Sequence, residues 1–128
     1  MAVDYKAPIK DIEFAYDVLN AYERLGRIDK YKEISKEMVT PVIEECAKFC
    51  EEVLAPINSI GDSQGATINN NEVTMPEGFV DAYKKFSEAG WSAISLPEEI
   101  GGGGLPIALS GATLETVSYT HLTLPTKA

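Results

Sequence analysis

The chain is 128 residues long and 45% apolar, one domain's worth of polypeptide with enough hydrocarbon for a modest core. Twenty acidic residues against eleven Lys and Arg leave a net charge of -9, which argues against a nucleic-acid backbone or an anionic membrane surface as partner. No apolar run approaches the roughly 18 residues of a membrane span, and residues 1–10 have neither the charged start nor the apolar core of a signal peptide, so the chain reads as cytoplasmic.

Residues 5–14, Tyr-Lys-Ala-Pro-Ile-Lys-Asp-Ile-Glu-Phe, begin as an extended arm, because Ala7 precedes Pro8 and is biased away from helix. Asp11 then caps a predicted helix with Ile12, Ala15, Val18, Leu19 and Tyr22 on one face, ending near Gly26. Ile28 to Val39 is charged, part helix and part connection. Thr40-Pro41 supplies a capping hydroxyl and a proline for the first position of the clearest helix in the chain. Val42, Ile43, Cys46, Ala47, Cys50, Val53 and Leu54 form its apolar stripe, while Glu44, Glu45, Lys48, Glu51 and Glu52 take the other faces and read as solvated acids and bases rather than acid/base chemistry. Ala55-Pro56 is its expected exit.

Cys46 and Cys50 stand four apart on that helix, where β-carbons lie about 5–6 Å from one another, beyond the roughly 3.8 Å of a disulfide. They read as two small buried hydrophobes. A metal site would need further ligands, and the only histidine, His121, is distant in sequence. Residues 61–76 are turn-rich and predict the loop of the domain, with a brief extended stretch over Val73 to Met75. Asp62-Ser-Gln-Gly lacks the alternating oxygen ligands and closing Glu of a calcium loop and reads as a surface turn.

Pro76-Glu77-Gly78 leads into an amphipathic helix with Phe79, Val80, Tyr83 and Phe86 on its core side, stopping at Gly90 just before the lone Trp91. Gly101 to Gly104 invite a phosphate-binding reading, but a dinucleotide fingerprint would need glycine where Pro106 stands, and no Lys-Ser/Thr follows to make a P-loop. A tight turn permitting close packing is the better reading. Pro106 opens a last helix through Ala108, Leu109, Ala112 and Glu115. The expected core comprises Phe14, Leu19, Ile43, Cys46, Val53, Leu54, Phe79, Tyr83, Phe86 and Trp91.

Several separate phrases carry a resemblance. A helix ending in Ala89-Gly90, then Trp91, Leu96-Pro-Glu-Glu99, a glycine-rich turn and Leu105-Pro106 resembles the N-terminal helical domain of the acyl-CoA dehydrogenases, as does Ala47-Lys-Phe-Cys-Glu-Glu-Val-Leu-Ala-Pro-Ile-Asn58 followed by Gly61-Asp62. Tyr5, Ala7, Pro8, Asp11 and Phe14 match the short extension (Tyr-x-Ala-Pro-x-x-Asp-x-x-Phe) of a subset of larger members, the 3-methylmercaptopropionyl-CoA dehydrogenase type among them. The resemblance implies a mainly α-helical fold, incomplete here, divided into an arm and helix (residues 1–27), the helical domain (28–117) and a tail (118–128).

It also implies, for the full-length protein, an oxidoreductase of fatty acid metabolism that desaturates the α,β bond of an acyl-CoA thioester. A glutamate removes the α-proton, flavin adenine dinucleotide (FAD) takes the β-hydride, an electron-transfer acceptor reoxidises it, and the protein is a homo-oligomer. In the family the flavin is held mainly by a middle β-domain and C-terminal helices, and the glutamate comes from the C-terminal half. The resemblance therefore assigns no catalytic, cofactor-binding or metal-binding residue here, and Glu98, Glu99 and Glu115 are not promoted to the base.

The last eleven residues differ in character. All twenty acids lie before Ser118, and residues 118–128 hold three threonines and His121 instead. The family pattern stops there too, so this stretch is expected to be a foreign tail, similar to translated sequencing-adapter read-through, on a truncated and inactive fragment, loosely packed beside Trp91, Leu105 and Leu109. The competing reading is a free-standing acidic helical interaction module.

Overall fold

A computed structural model of the chain describes residues 5–120, and it is mainly α-helical. Six α-helices follow one another: α1 (Ile9–Val18), α2 (Ala21–Gly26), α3 (Lys36–Phe49), α4 (Ala55–Gln64), α5 (Phe79–Glu88) and α6 (Ile107–Ser118). A two-stranded antiparallel hairpin, β1 (Thr67–Asn69) and β2 (Glu72–Thr74), interrupts them between α4 and α5.

The first expected helix is two. Asn20 takes a left-handed conformation (φ 49°), which ends α1 and restarts the chain as α2 at a different angle. The buried stripe of α1 is accordingly Ile12 and Tyr16, one turn apart, and not the stripe through Ala15, Val18 and Leu19. Phe14 (68% exposed) and Leu19 (58%) face outward and leave the expected core. Asp11 lies inside the first turn, and Pro8 occupies the cap position.

α3 likewise begins earlier than Thr40-Pro41. The Ser35 carbonyl accepts the amides of Met38 and Val39 at 3.1 Å, so the helix is under way when it meets Pro41, which takes an interior position and forgoes one ladder bond. The Thr40 hydroxyl caps nothing; it donates to the Glu13 carboxylate at 3.0 Å and ties α3 to α1.

Ala55-Pro56 does not end the helical run. Cys50–Leu54 forms a π-turn, with the Ala55 amide reaching the Cys50 carbonyl, and α4 continues to Gln64. A π-turn widens the backbone by one residue where Pro56 would otherwise press on the preceding turn, so the proline is accommodated at the start of α4. Asp62, Ser63 and Gln64 thus form the last turn of a helix rather than a loop. The rest of the expected loop is the hairpin, turned by Asn70 (φ 49°) and Asn71 (φ 64°), the positive-φ pair that a tight two-residue turn demands.

The core has two lobes. In one, Ile12 and Tyr16 meet Val39, Ile43, Ile94, Leu109 and Ala112; in the other, Cys46, Cys50, Leu54 and Ala82 gather, and half-buried Trp91 packs on both. The seam running through both lobes is α3 against α6. Thr116 is fully buried on that seam because its hydroxyl donates to the Ala112 carbonyl one turn back, at 2.9 Å, leaving a methyl outward.

α5 stops as expected, with Gly90 left-handed (φ 77°) just beyond its cap. Its stripe is not core, however. Ala82 is the buried residue of α5, Phe79 and Phe86 are half-buried, and Val80 and Tyr83 are exposed. Ser118 closes α6 with an exposed side chain, and Thr120 just beyond it is 3% exposed. Residues 121–128, with His121, lie outside the described residues.

Candidate functional site

Three places bear on function: an apolar groove beside α5, the docked N-terminal arm, and the glycine turn. The groove follows from the sequence of α5, whose apolar residues fall at the spacing of one helix face. Phe79, Val80, Tyr83 and Phe86 of α5 line it together with Leu54, Met75, Ala82 and Val117, around a cavity of about 370 Å³. Phe79 lies against Gly61 of α4, where any side chain would collide with its ring, and this contact fixes how closely α5 approaches α4. Phe86 meets Phe49 with ring centroids 6.1 Å apart.

The arm is pinned by three contacts. The Tyr5 hydroxyl donates to the Thr116 carbonyl at 2.8 Å, the Ala7 amide donates to Glu51 Oε1 at 3.0 Å, and Lys6 Nζ sits 3.2 Å from Glu51 Oε2. Glu51, read from sequence as one acid of a solvated face, is the arm's anchor; the Ala7 amide first, then Lys6, holds its carboxyl below the usual carboxylate range. Burial first, then the neighbouring thiols, pushes the Tyr5 hydroxyl well above its ordinary pKa, so it stays protonated and able to donate. Under the arm lie Cys46 and Cys50, both fully buried and free. Cys46 Sγ lies 3.7 Å from the Thr113 carbonyl, and its hydrogen bond with Cys50, together with burial, holds the Cys50 thiol far above its usual range. Both thiols are shut off from solvent, which suits them to packing rather than to nucleophilic attack.

The glycine turn is folded on itself. The amides of Gly102, Gly103 and Gly104 donate to the carbonyls of Pro97, Ala93 and Leu96 at 3.0, 3.0 and 2.8 Å, leaving no cradle of free N–H groups for a phosphate. A side chain at Gly102 would strike the Leu96 carbonyl, and one at Gly103 the Ile94 carbonyl, so the glycines serve the close packing of the Trp91 segment on the entry to α6.

Glu98, Glu99 and Glu115 are exposed and line none of these features except that Glu98 borders Gly104. Among the described residues no three His, Cys, Asp or Glu side chains gather as a metal site. FAD needs polar partners for its pyrophosphate and ring edge, but the groove offers hydrocarbon and one tyrosine, and the turn's amides are engaged. The described residues do not fit a flavin. Sequence reasoning missed Glu51 and the openness of the groove. The arm motif marked Tyr5 and Ala7, but nothing local marks which of five charged residues on the long helix receives them.

Residues 36–126 match the acyl-CoA dehydrogenase N-terminal domain. Over 118 residues the chain is 39% identical to 3-methylmercaptopropionyl-CoA dehydrogenase of Ruegeria pomeroyi (strain ATCC 700808 / DSM 15171 / DSS-3), covering 92% of this chain and 20% of that relative. The chain thus spans about a fifth of the length of the curated relative it matches. The family match runs on to residue 126, past the change of composition at Ser118. With the helical fold and the matched residues in agreement, this chain belongs to the acyl-CoA dehydrogenase family, of which it carries the N-terminal helical domain.

Proposed function

We propose that this chain is the N-terminal part of a flavin-dependent acyl-CoA dehydrogenase, which desaturates an acyl-CoA thioester in the cytoplasm as a homo-oligomer and passes electrons to a protein acceptor. The observation that carries this reading is the domain match over residues 36–126 in a chain that spans a fifth of a dehydrogenase relative. In that protein the present residues act as scaffold: the α3–α6 seam and the clasped arm fix a rigid helical unit on which the remaining parts assemble. The proton-abstracting glutamate and the FAD contacts belong to those parts.

The purified 128-residue chain, incubated with FAD, acyl-CoA substrates and an artificial electron acceptor, should retain no yellow flavin and reduce no acceptor, whereas the full-length protein should do both. Stoichiometric flavin on the isolated chain would relocate the binding determinants. The genomic sequence after codon 117 decides the rest. An open frame running into a β-domain supports the dehydrogenase, while a native stop codon favours a free-standing helical interaction module.

A further inference from the structure

We infer that the groove between α5 and the last turn of α6 is the seat of the polypeptide that directly follows α6 in the full-length protein, an amphipathic helix presenting aliphatic or aromatic side chains. This rests on the reading that the chain continues into a longer dehydrogenase.

Three observations converge on it. Val80 and Tyr83, one turn apart on α5, are 66% and 72% exposed on the same face that contributes Phe86 to the groove. Such an apolar stripe is what a helix normally turns toward a neighbour. α6 has a single charged residue, Glu115, and leaves Ile107 (81% exposed) and Leu114 (63%) outside the core. Large apolar side chains left outside the core on α6 as on α5 mark surface that a neighbour covers.

The third observation names the occupant. Val117, in the last turn of α6, lines the groove, so whatever follows α6 sets out from beside it. Helices in compact domains are joined by connections of roughly 2–8 residues, which returns the next helix alongside α6 and onto α5. Some four-fifths of the relative's length has no counterpart in this chain, so a covering segment is available within one polypeptide.

The test places Val80→Lys and Tyr83→Lys, which keep good helix propensity, in both the 128-residue chain and the full-length protein. In the 128-residue chain each should move Tm by less than about 2 °C and reduce the fluorescence of 8-anilinonaphthalene-1-sulfonate. In the full-length protein each should lower Tm by at least about 5 °C and speed amide exchange in α5, with Tyr83→Phe behaving as wild type in both. Lysine variants that fail to accumulate only in the full-length protein, where Tyr83→Phe does accumulate, support the assignment equally.

Full-length protein that tolerates both lysines as well as the short chain does would overturn it. So would a dimer of the 128-residue chain that the lysines dissolve while the full-length protein ignores them, since a second copy would then be the occupant. Dehydrogenase activity reads the other proposal separately. An inactive full-length protein with a protected α5 sinks the activity and leaves the seat standing; an active one with an unprotected, lysine-tolerant α5 does the reverse.

Discussion

The α3–α6 seam and the α5 groove are made from the same kinds of side chain and end in opposite states. On the seam, Ile43, Cys46 and Leu109 are 1%, 0% and 2% exposed, because a helix on each side supplies a wall. On α5 the stripe is as well formed, yet Val80 and Tyr83 stand more than three-fifths exposed. Amphipathicity declares that a face wants covering, and a cover must still be supplied. The seam finds its cover within the described residues and the groove does not.

The comparison is broken most directly on the seam. Ile43→Ala should cost on the order of 2–5 kcal/mol in urea unfolding, as expected for a core side chain that leaves a cavity. A loss below about 1 kcal/mol would mean that the seam is loose and the contrast with the groove false.

The glycine turn feeds α6 into that seam, and Gly102→Ala is the next largest expected effect. Its added methyl meets the Leu96 carbonyl, a backbone clash in the range of about 1–3 kcal/mol for overpacked sites. Unchanged stability would show that the turn relaxes freely and that the four glycines are not needed for close approach.

A smaller effect is expected where the arm closes the seam. Tyr5→Phe removes the bond to the Thr116 carbonyl and should cost about 0.5–1.5 kcal/mol. Glu51, which accepts the Ala7 amide and pairs with Lys6, gives the arm's hold a pH dependence. Its folded carboxyl lies below the unfolded value of 4.5, so the stabilisation is complete above that pH and fades as pH falls through the folded value. The stability gap between wild type and Glu51→Gln should therefore be constant near neutrality and narrow below about pH 4.5. A gap that widens on acidification would show that Glu51 does not hold the arm as a carboxylate.

The smallest effect sharpens the contrast from the exposed side. Phe14→Ser replaces an aromatic residue that is 68% exposed and should change stability by no more than about 0.5 kcal/mol. A larger loss would place Phe14 against a surface outside the described residues.

Much of this was legible beforehand. The 3.6-residue periodicity of α3 and α5, the stop at Gly90 and the launch at Pro106 are local signals that local geometry obeys. Two cysteines one turn apart on a helix stay unbridged because their β-carbons diverge, and that too needs no tertiary knowledge. The phrases around Trp91 and the arm were enough to identify the family, because several separate matches fall in order along one chain.

Other features were decided only by the assembled chain. Whether Pro56 ends a helix or follows a π-turn depends on the rest of the molecule holding the helical run together across the bulge. The break at Asn20 turned the α1 stripe to Ile12 and Tyr16, because the rotation of a short helix is set by what it packs on more than by its own apolar count. Glu51 became an anchor because the arm crosses α3's end at that one turn. The sequence by itself determined which faces are apolar and where the backbone must bend; only the tertiary structure decided which of those faces meet, because burial is a property of two surfaces and a sequence lists them one at a time.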